Sequence, residues 1–405
     1  MRPVFIVGVA MTRFGDHSDR SIKDLAAEAV TDAMKDAACA QRDIEAIWYA
    51  NAGQGAMDDQ HMIRGQVALR PMGFDGLPIV NVENACASGS TALREAMTFI
   101  RAGGDVALAV GAEKLVSSDK ARSLGVFDAG MDVSRAEEQL AQVLALGGDA
   151  PAFGGRRSIF MEIYAAIARQ HMRLFGTTER EIAAVSAKNH AHSVENPRAH
   201  FRRAFSIDEV LAARLVAPPL TLPMCSPVSD GAAAIVVCSE AGARRMGALA
   251  RAVRLDACVL RSGVTRDPDD FDRHIGRLTA LDAYERAGIA PADVDVAEVH
   301  DAAAIAEIIQ VENLGLARRG EGGRLALSGA TSLGGRTPVN PSGGLESKGH
   351  PLGATGLAQV FEIVAQLRGE ALARQAPEAR VGVAENGGGF WGVEEAVCVV
   401  SVMTR

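Results

Sequence analysis

The sequence contains few aromatic residues and no long apolar run. Aromatic side chains account for 4% of the 405 residues, whereas hydrophobic residues account for 48%. A chain of this size and composition can bury a large core, so we expect one large domain or two closely packed domains. No stretch approaches the ~20 apolar residues that a membrane-spanning helix needs, and a membrane span is therefore not expected.

Positive charge is also scarce. Lys and Arg number 42 against 50 Asp and Glu, which gives a formal net charge of -8. Proteins that bind nucleic acid or an anionic membrane surface usually carry a basic patch or run, and this sequence has no long basic run. Neither nucleic acid nor a membrane surface is therefore an expected partner.

The cysteines show no pairing pattern. They lie at positions 39, 86, 225, 238, 258 and 398, and none belongs to a C-x-x-C pair. Disulfides are typical of short secreted frameworks and of oxidising compartments. We therefore expect free thiols and a cytoplasmic protein.

Motifs for a bound nucleotide or metal are missing as well. No G-x-x-x-x-G-K-[ST] phosphate-binding loop is present. The group formed by His190, His192 and His200 lacks Cys or carboxylate residues at the spacing of a metal site. We therefore expect neither a metal nor a permanently bound cofactor.

The chain contains two similar copies of one pattern. Residues 33–45 and 283–295 both read as an amphipathic helix, a short break and the start of a strand. Residues 87–101 and 354–368 both begin with small residues and continue as a helix. Alternating helices and apolar strands in two copies favour an α/β architecture with two related sheets. We expect a first half at 1–116 and 221–248, an inserted lid of helices and loops at 117–220, and a second half at 249–405.

Cys86 is the candidate nucleophile. It lies between an apolar, strand-like run at 77–82 and a helix that begins near Ala87. A thiol at a helix N-terminus faces the positive end of the helix dipole and unpaired backbone N–H groups, which lower its pKa and can stabilise an oxyanion. The alternative is a small buried hydrophobe, which is the more common state of a free cysteine.

Two histidines could serve this thiol. His350 lies in a glycine-rich loop just before the helix that corresponds to the one after Cys86, so the duplication places it beside the thiol as a base. His300 and Asp301 end the strand-like segment 294–299, and an acidic neighbour can orient an imidazole for proton transfer or oxyanion binding. Taken singly, each histidine could equally be structural, and Asp301 could be a helix N-cap.

A run of glycines at 387–389 follows another strand-like segment. Glycine lets backbone N–H groups point at a substrate. The alternative is a tight turn with no role in catalysis.

Taken together, these segments resemble the thiolase superfamily, in particular the branch related to the thiolase part of sterol carrier protein. The matching segments are 82–89, 229–234, His300-Asp301 and 343–356, and they follow in order over essentially the whole chain. The resemblance implies an α/β thiolase fold. Duplicated βαβαβαββ halves would form a five-layered αβαβα core, with an inserted helical or loop lid over a coenzyme A channel.

The resemblance also implies a role for each candidate residue. His350 would take the proton from Cys86, whose thiolate attacks a 3-oxoacyl-CoA, and acyl transfer to a second CoA would complete the exchange. His300 and His350 would hold the thioester oxygen in one oxyanion hole, and the backbone N–H groups of Cys86 and Gly387 would form the other. Ser226 matches a position near the pantetheine arm. Coenzyme A would be a co-substrate rather than a permanently bound cofactor.

The sequence departs from the family pattern at two places. Many thiolases carry a second catalytic cysteine in a C-x-G turn, where this chain has Glu385-Asn386-Gly387, so the group that protonates the leaving enolate is open. Members that resemble the archaeal acetoacetyl-CoA thiolase also lack that cysteine, so activity is still expected. The family's His-Asp-Cys-Phe is His-Asp-Ala-Ala here, at 300–303, which should leave more room near the acyl group.

The leading hypothesis is a thiolase-type acyltransferase that cleaves 3-oxoacyl-CoA with CoA or catalyses the reverse Claisen condensation. One alternative is a non-catalytic subunit that binds acyl-CoA or lipid, which the missing C-x-G cysteine would fit. A thiolase-like steroid-CoA aldolase is disfavoured by the retained Cys86 and both histidines. The resemblance also implies a homodimer or homotetramer and, as in some relatives, a small zinc-containing OB-fold partner protein.

Overall fold

The computed structural model describes residues 2–148 and 158–405, and within them the main sheet has nine strands in the order β3-β2-β4-β7-β1-β8-β11-β10-β9. Two short strands, β5 and β6, pair separately. The strands are β1 Phe5–Met11, β2 Ala46–Ala50, β3 Ile79–Val82, β4 Val106–Glu113, β5 Leu215–Ala217, β6 Leu220–Thr221, β7 Gly231–Cys238, β8 Val253–Ser262, β9 Val296–Glu298, β10 Val381–Gly388 and β11 Val397–Thr404.

The helices alternate with these strands in both copies of the predicted duplication. They are α1 Ile22–Asp36, α2 Gln54–Asp58, α3 Arg64–Leu69, α4 Ser88–Arg101, α5 Lys120–Asp128, α6 Ala136–Leu146, α7 Ile159–Phe175, α8 Glu179–Ser193, α9 Ile207–Leu211, α10 Glu240–Arg245, α11 Ile275–Ala287, α12 Ala304–Asn313, α13 Gly322–Leu327, α14 Gly344–Lys348 and α15 Leu352–Arg368. None of these helices in the described ranges is long and apolar enough to cross a membrane.

Local sequence explains the main elements of the first copy. Ser21 caps α1 through a capping box, because its side chain accepts from the Asp24 amide while the Asp24 side chain accepts from the Ser21 amide. Apart from Glu113 at the end of β4, strands β4 and β7 are continuous apolar runs of small and branched residues, and every residue in them is buried. A strand covered on both faces needs such a run rather than an alternating pattern.

Helices and half-sheets stack in five layers, which confirms the predicted core. Helix α1 packs outside β1 and β7, and α11 packs outside β8 and β11. Between the two halves of the sheet lie α4 and α15, which contact each other. Helix α4 also packs on β2 and β4, while α15 packs on β4, β7 and β10. A single apolar cluster therefore joins both halves through these two central helices.

The two related sheets expected from the duplication are hydrogen-bonded into one. Strands β1 and β8 pair antiparallel through Phe5 with Arg254 and Ile6 with Val253, so the outermost strands of the two copies join. In the second copy, the counterpart of β3 is reduced to a single parallel bridge between Ala297 and Val339. Periodicity alone could not show either feature, since both depend on pairing between distant segments.

The segment predicted as a lid forms helices α5 to α9 and strand β5 in its described part. Helices α7 and α8 contribute Ala165, Ile182 and Val185 to a separate apolar cluster. That cluster also contains Ile305 and Ile308 of α12, so these two helices pack directly on the second copy.

Candidate active site

Cys86 lies in a short 3-10 turn, Ala85–Ala87, that leads from β3 into α4. The Ser88 hydroxyl fixes this turn, because it donates to the Ala85 carbonyl at 2.6 Å and accepts from the Asn84 amide at 2.9 Å. Ala85 has a φ of 48°, in the left-handed region that costs a non-glycine residue about 1–2 kcal/mol. A strained residue is thus held directly before the thiol.

His350 meets the thiol from the other central helix. It directly precedes Pro351, the N-cap of α15, and its Nε2 lies 3.3 Å from the Cys86 sulfur. Its Nδ1 lies 2.8 Å from the Thr355 hydroxyl, which donates its own hydrogen to the Pro351 carbonyl at 2.9 Å. The hydroxyl must therefore accept from Nδ1–H, which leaves the Nε2 lone pair facing the thiol. The predicted meeting of the two helix N-termini is confirmed.

His300 follows β9 and has the opposite tautomer. The Asn386 amide nitrogen lies 3.0 Å from His300 Nδ1, and the Ser90 hydroxyl donates to the Asn386 oxygen at 2.9 Å. Because Ser90 occupies the amide oxygen, the amide NH₂ group points at Nδ1, which must accept. The proton of His300 therefore lies on Nε2. The two imidazole rings stand 5.1 Å apart and nearly perpendicular.

Burial keeps all three groups neutral. It raises the pKa of the Cys86 thiol to about 12, even though backbone hydrogen bonds from Gly389 and from Cys86 itself lower it. Burial likewise lowers the pKa of His300 to about 4, and it holds the pKa of His350 well below its ordinary value, with help from His300 and Lys348. The expectation that the helix dipole would lower the thiol pKa is wrong, because desolvation outweighs it here.

The Cys86 sulfur and one ring nitrogen from each histidine lie within 4.8 Å of one another. A cysteine sulfur and two imidazole nitrogens at this spacing could act as ligands of a soft metal ion. They could equally surround a carbonyl, with the sulfur at its carbon and N–H donors at its oxygen. Among the described residues no fourth Cys, His or carboxylate joins the group.

A cavity of about 860 Å³ opens over these residues. Its walls come from both halves and from the predicted lid, and most of the lid side chains are apolar. The lid contributes Leu124, Val126, Phe127, Phe160, Met161, Tyr164 and Leu215. An apolar chain attached to a reactive carbonyl at Cys86 can therefore be buried against the lid.

The structure places every predicted site residue on this one cavity. Cys86, His300 and His350 line its floor, and Ser226 and Gly387 line its wall. Within the glycine run, the backbone amide that hydrogen-bonds to the Cys86 sulfur belongs to Gly389. Ala302, in the shortened His-Asp-Ala-Ala segment, also lines the cavity, whereas Ala303 is fully buried beside Cys225.

Three supporting residues were missed by the sequence analysis. Thr355 and Asn386 set the tautomers of the two histidines, and Glu395 lines the cavity with a carboxyl group. Thr355 lies in the first turn of α15, five residues after His350, so its position was within reach of sequence reasoning. Glu395 carries no motif and becomes visible only in the folded chain.

Family comparisons agree with this architecture. The family described as "Thiolase, N-terminal domain" matches residues 4–241, and "Thiolase C-terminal domain-like" matches residues 264–401. The chain is 37% identical to the acetyl-CoA acetyltransferase of Methanothermobacter thermautotrophicus over 97% of this chain and 98% of that protein. It is 38% identical to human sterol carrier protein 2 over 95% of this chain and 70% of that protein.

A solved structure shows the same fold. The Ltp2-ChsH2(DUF35) aldolase matches with a TM-score of 0.77 and 21% sequence identity, over 98% of this chain and 97% of that chain. The fold and the matched families together define a thiolase-type acyltransferase. The chain belongs to the thiolase family, on the branch that includes sterol carrier protein 2.

Proposed function

We propose that Cys86 carries the acyl group as a thioester and that His350 is the base that activates it. The observation that carries this assignment is the 3.3 Å approach of His350 Nε2 to the sulfur, with Nδ1 committed to Thr355. A thiol with a pKa of about 12 is a poor nucleophile at neutral pH unless a base removes its proton during attack. His350 has a free lone pair in that direction.

The same geometry supports two oxyanion holes. Once His350 holds the thiol proton on Nε2, that N–H and the Nε2–H of His300 both face the space beside the sulfur. The second hole would use the backbone amide of Cys86 together with that of Gly387. The Gly389 amide, which already donates to the sulfur, is a further candidate donor. One such donor typically contributes about 3 kcal/mol to transition-state stabilisation.

Replacing Asn386 with leucine should lower kcat/KM for acyl transfer about 100-fold. The substitution keeps a similar volume but removes the donor that holds His300 with its proton on Nε2. Steady-state kinetics measures the loss, and thermal unfolding checks that the fold is retained. The Ser90→Ala variant is the matched control, because it loosens the same amide without removing it, and its effect should be smaller. An unchanged kcat/KM in Asn386→Leu would show that His300 needs no fixed tautomer.

We assign coenzyme A thioesters as the substrates. The related acetyltransferase acts on acetyl-CoA by name, and the cavity provides both an acyl pocket and the predicted pantetheine contact at Ser226. The reaction is thiolytic cleavage of a 3-oxoacyl-CoA by CoA, or its reverse, the Claisen condensation of two thioesters. The predicted lid at 117–220 closes the acyl side, and the two halves, 1–116 with 221–248 and 249–405, supply the catalytic residues.

Assembly and location follow as parts of the same proposal. Strand β3 is an edge of the nine-stranded sheet and leaves Val80 43% exposed, so it offers a pairing edge to a second copy in a homodimer or homotetramer. The aldolase with the same fold is a complex with a DUF35 chain. A partner chain is therefore proposed here too, namely the small zinc-containing OB-fold protein that the family resemblance implies, in the cytoplasm.

Trapping the acyl-enzyme tests the assignment. The purified protein is incubated with acetyl-CoA or acetoacetyl-CoA, quenched in acid and digested, and acylation is mapped by peptide mass spectrometry. We expect acetylation of the peptide containing Cys86, its release by free CoA, and its absence in Cys86→Ala. The buried cysteines 39, 238, 258 and 398 do not line the cavity, so they are internal controls and should stay unmodified.

The outcome also separates catalysis from mere binding. Acylation at a different cysteine would overturn the assignment of Cys86. If no cysteine is acylated by short, long or sterol-like acyl-CoAs, although the protein binds them, the chain is an acyl-CoA-binding subunit instead.

A further inference from the structure

Carbon-carbon cleavage needs a proton donor that Cys86 and His350 do not supply. When the thiolate attacks the 3-oxo carbon, the C2–C3 bond breaks and its electron pair goes to C2 of the departing thioester. C2 must then gain a proton, and in the condensation direction it must lose one. His350 already holds the proton taken from the thiol. A second acid-base group is required within the cavity.

The residue at the position of the missing C-x-G cysteine does not fill this role. Glu385 is buried, and both of its carboxyl oxygens have partners. Its Oε2 accepts from the His300 amide at 2.9 Å, and its Oε1 lies 3.5 Å from the Cys398 sulfur. This carboxyl group fixes the backbone at His300, and both of its oxygens are already engaged.

Glu395 reaches the cavity from the turn between β10 and β11. It lines the same cavity as Cys86 and His300. Its side chain lies against Gly387, where an added Cβ would stand 2.8 Å from Glu395 Cγ. The glycine therefore makes room for this carboxyl group, two residues beyond the position that the absent cysteine would occupy.

One carboxyl oxygen of Glu395 is anchored and the other is uncommitted. Oε1 accepts from the Gln310 amide at 2.9 Å, and Asn313 fixes that amide by donating to its oxygen. Oε2 is buried and has no hydrogen-bond partner among the described residues. His274 Nε2 lies 3.7 Å away, beyond hydrogen-bond distance. A buried, unpartnered carboxyl oxygen is costly and therefore calls for a ligand or a functional reason.

Burial and the neighbouring charges place the pKa of the Glu395 carboxyl group near neutral pH. The pKa of Glu395 is raised to about 7, with burial as the largest influence. Glu394 adds to the rise, whereas the backbone amide of Glu395, Arg266 and the Gln310 bond oppose it. Arg266 is itself paired with Glu394 at 2.6 Å. Besides burial, the charge of the nearby Glu395 raises the pKa of Glu385. A pKa near the working pH is what an acid-base group that both gives and takes a proton requires.

We infer that Glu395 is the acid-base residue for the substrate carbon, the role left open by the missing cysteine. This rests on the thiolase reaction proposed above. In cleavage, the protonated carboxyl group gives its proton to C2 of the leaving enolate, which departs as a thioester, and becomes a carboxylate. The carboxylate then takes the proton of the incoming CoA thiol as that sulfur attacks the acyl-Cys86 thioester. In condensation, the carboxylate removes a proton from C2.

The Glu395→Gln variant separates this step from acyl transfer. We expect thiolysis of acetoacetyl-CoA, and deuterium exchange from D₂O into C2 of acetyl-CoA, to fall about 100-fold or more. Acetylation of Cys86 by acetyl-CoA should persist in the same variant, because it breaks no carbon-carbon bond. The exchange rate of the wild type should titrate near pH 7, and this dependence should be lost in the variant.

Two further variants make the test specific. Glu346→Gln removes another cavity carboxyl group, whose Oε1 accepts from the Asn189 amide at 3.1 Å and whose Oε2, like that of Glu395, has no hydrogen-bond partner among the described residues. If Glu395 is the acid-base group, this variant should retain C2 exchange. Gly387→Ala pushes a methyl group against Glu395 and should therefore impair exchange.

Each result decides the question. Normal exchange in both Glu395→Gln and Glu346→Gln overturns the inference and indicates His350 as the carbon acid-base group. Loss of exchange in Glu346→Gln with normal Glu395→Gln assigns the role to Glu346. If acetyl-CoA does not acetylate Cys86 in the wild type, the proposed thiolase reaction itself is refuted, independently of the role of Glu395.

Discussion

The His350→Gln variant should acylate Cys86 about 10⁴-fold more slowly than the wild type at pH 7. Burial raises the thiol pKa to about 12, and His350 Nε2 is the base at 3.3 Å from the sulfur. Without that base, attack must wait for the free thiolate, which is about one molecule in 10⁵ at pH 7 for such a pKa. Glutamine fills a similar space but cannot accept the proton.

Single-turnover acylation by acetyl-CoA, followed by mass spectrometry at several pH values, measures this effect. The rate in His350→Gln should climb about tenfold per pH unit, because the thiolate fraction does so below its pKa, whereas the wild-type rate should change little. Thr355→Val is the matched control. It keeps the imidazole and releases only its Nδ1 partner, so its loss should be far smaller. A flat pH dependence in His350→Gln would point to another base.

Much of this site could be predicted from sequence because its signals are local. The small residues at the start of α4 and α15 and the repeated helix pattern revealed the duplication, and the duplication predicted that Cys86 and His350 lie close together. The contact between their helices is close: a Cβ added at Gly89 would lie 2.7 Å from the Gly353 carbonyl. The glycine spacing in both segments therefore reflects a real packing requirement.

The remaining features depend on contacts between distant segments. The tautomer of His300 requires Ser90 and Asn386, which lie on different elements, and no motif links them. Glu395 enters the cavity only because the β10–β11 turn folds over Gly387. The thiol pKa was misjudged for a related reason. A helix N-terminus is visible in sequence, but the desolvation that opposes it depends on everything packed around the sulfur.

The Lys348→Met variant should lose about 3–5 kcal/mol of unfolding free energy at neutral pH. Lys348 and Glu298 are both fully buried, and their charged groups lie 3.0 Å apart. The Glu298 carboxylate also accepts from the Ser342 amide at 3.0 Å and from its hydroxyl at 2.7 Å. Methionine fits the space of the lysine stem, but it leaves a buried carboxylate without its counter-charge.

The loss of unfolding free energy in Lys348→Met should depend on pH, and the pKa of Glu298 determines the direction. Burial raises the pKa of Glu298 above its ordinary value of 4.5, and Lys348 opposes that rise, so removing the lysine raises the pKa further. The folded variant then binds a proton that the unfolded chain releases above about pH 4.5. Stability must therefore fall as pH increases, and urea unfolding should show a smaller loss near pH 5 than near pH 8.

A second substitution at the partner tests whether the unpaired charge is the cause. Adding Glu298→Gln to Lys348→Met removes the charge while keeping an acceptor for Ser342, so it should restore part of the stability and abolish the pH dependence. If the double variant is as unstable as Lys348→Met alone, the cost comes from packing around the lysine stem. Restoration would show that the buried charge of Glu298, two residues before His300, requires the charge of Lys348, two residues before His350.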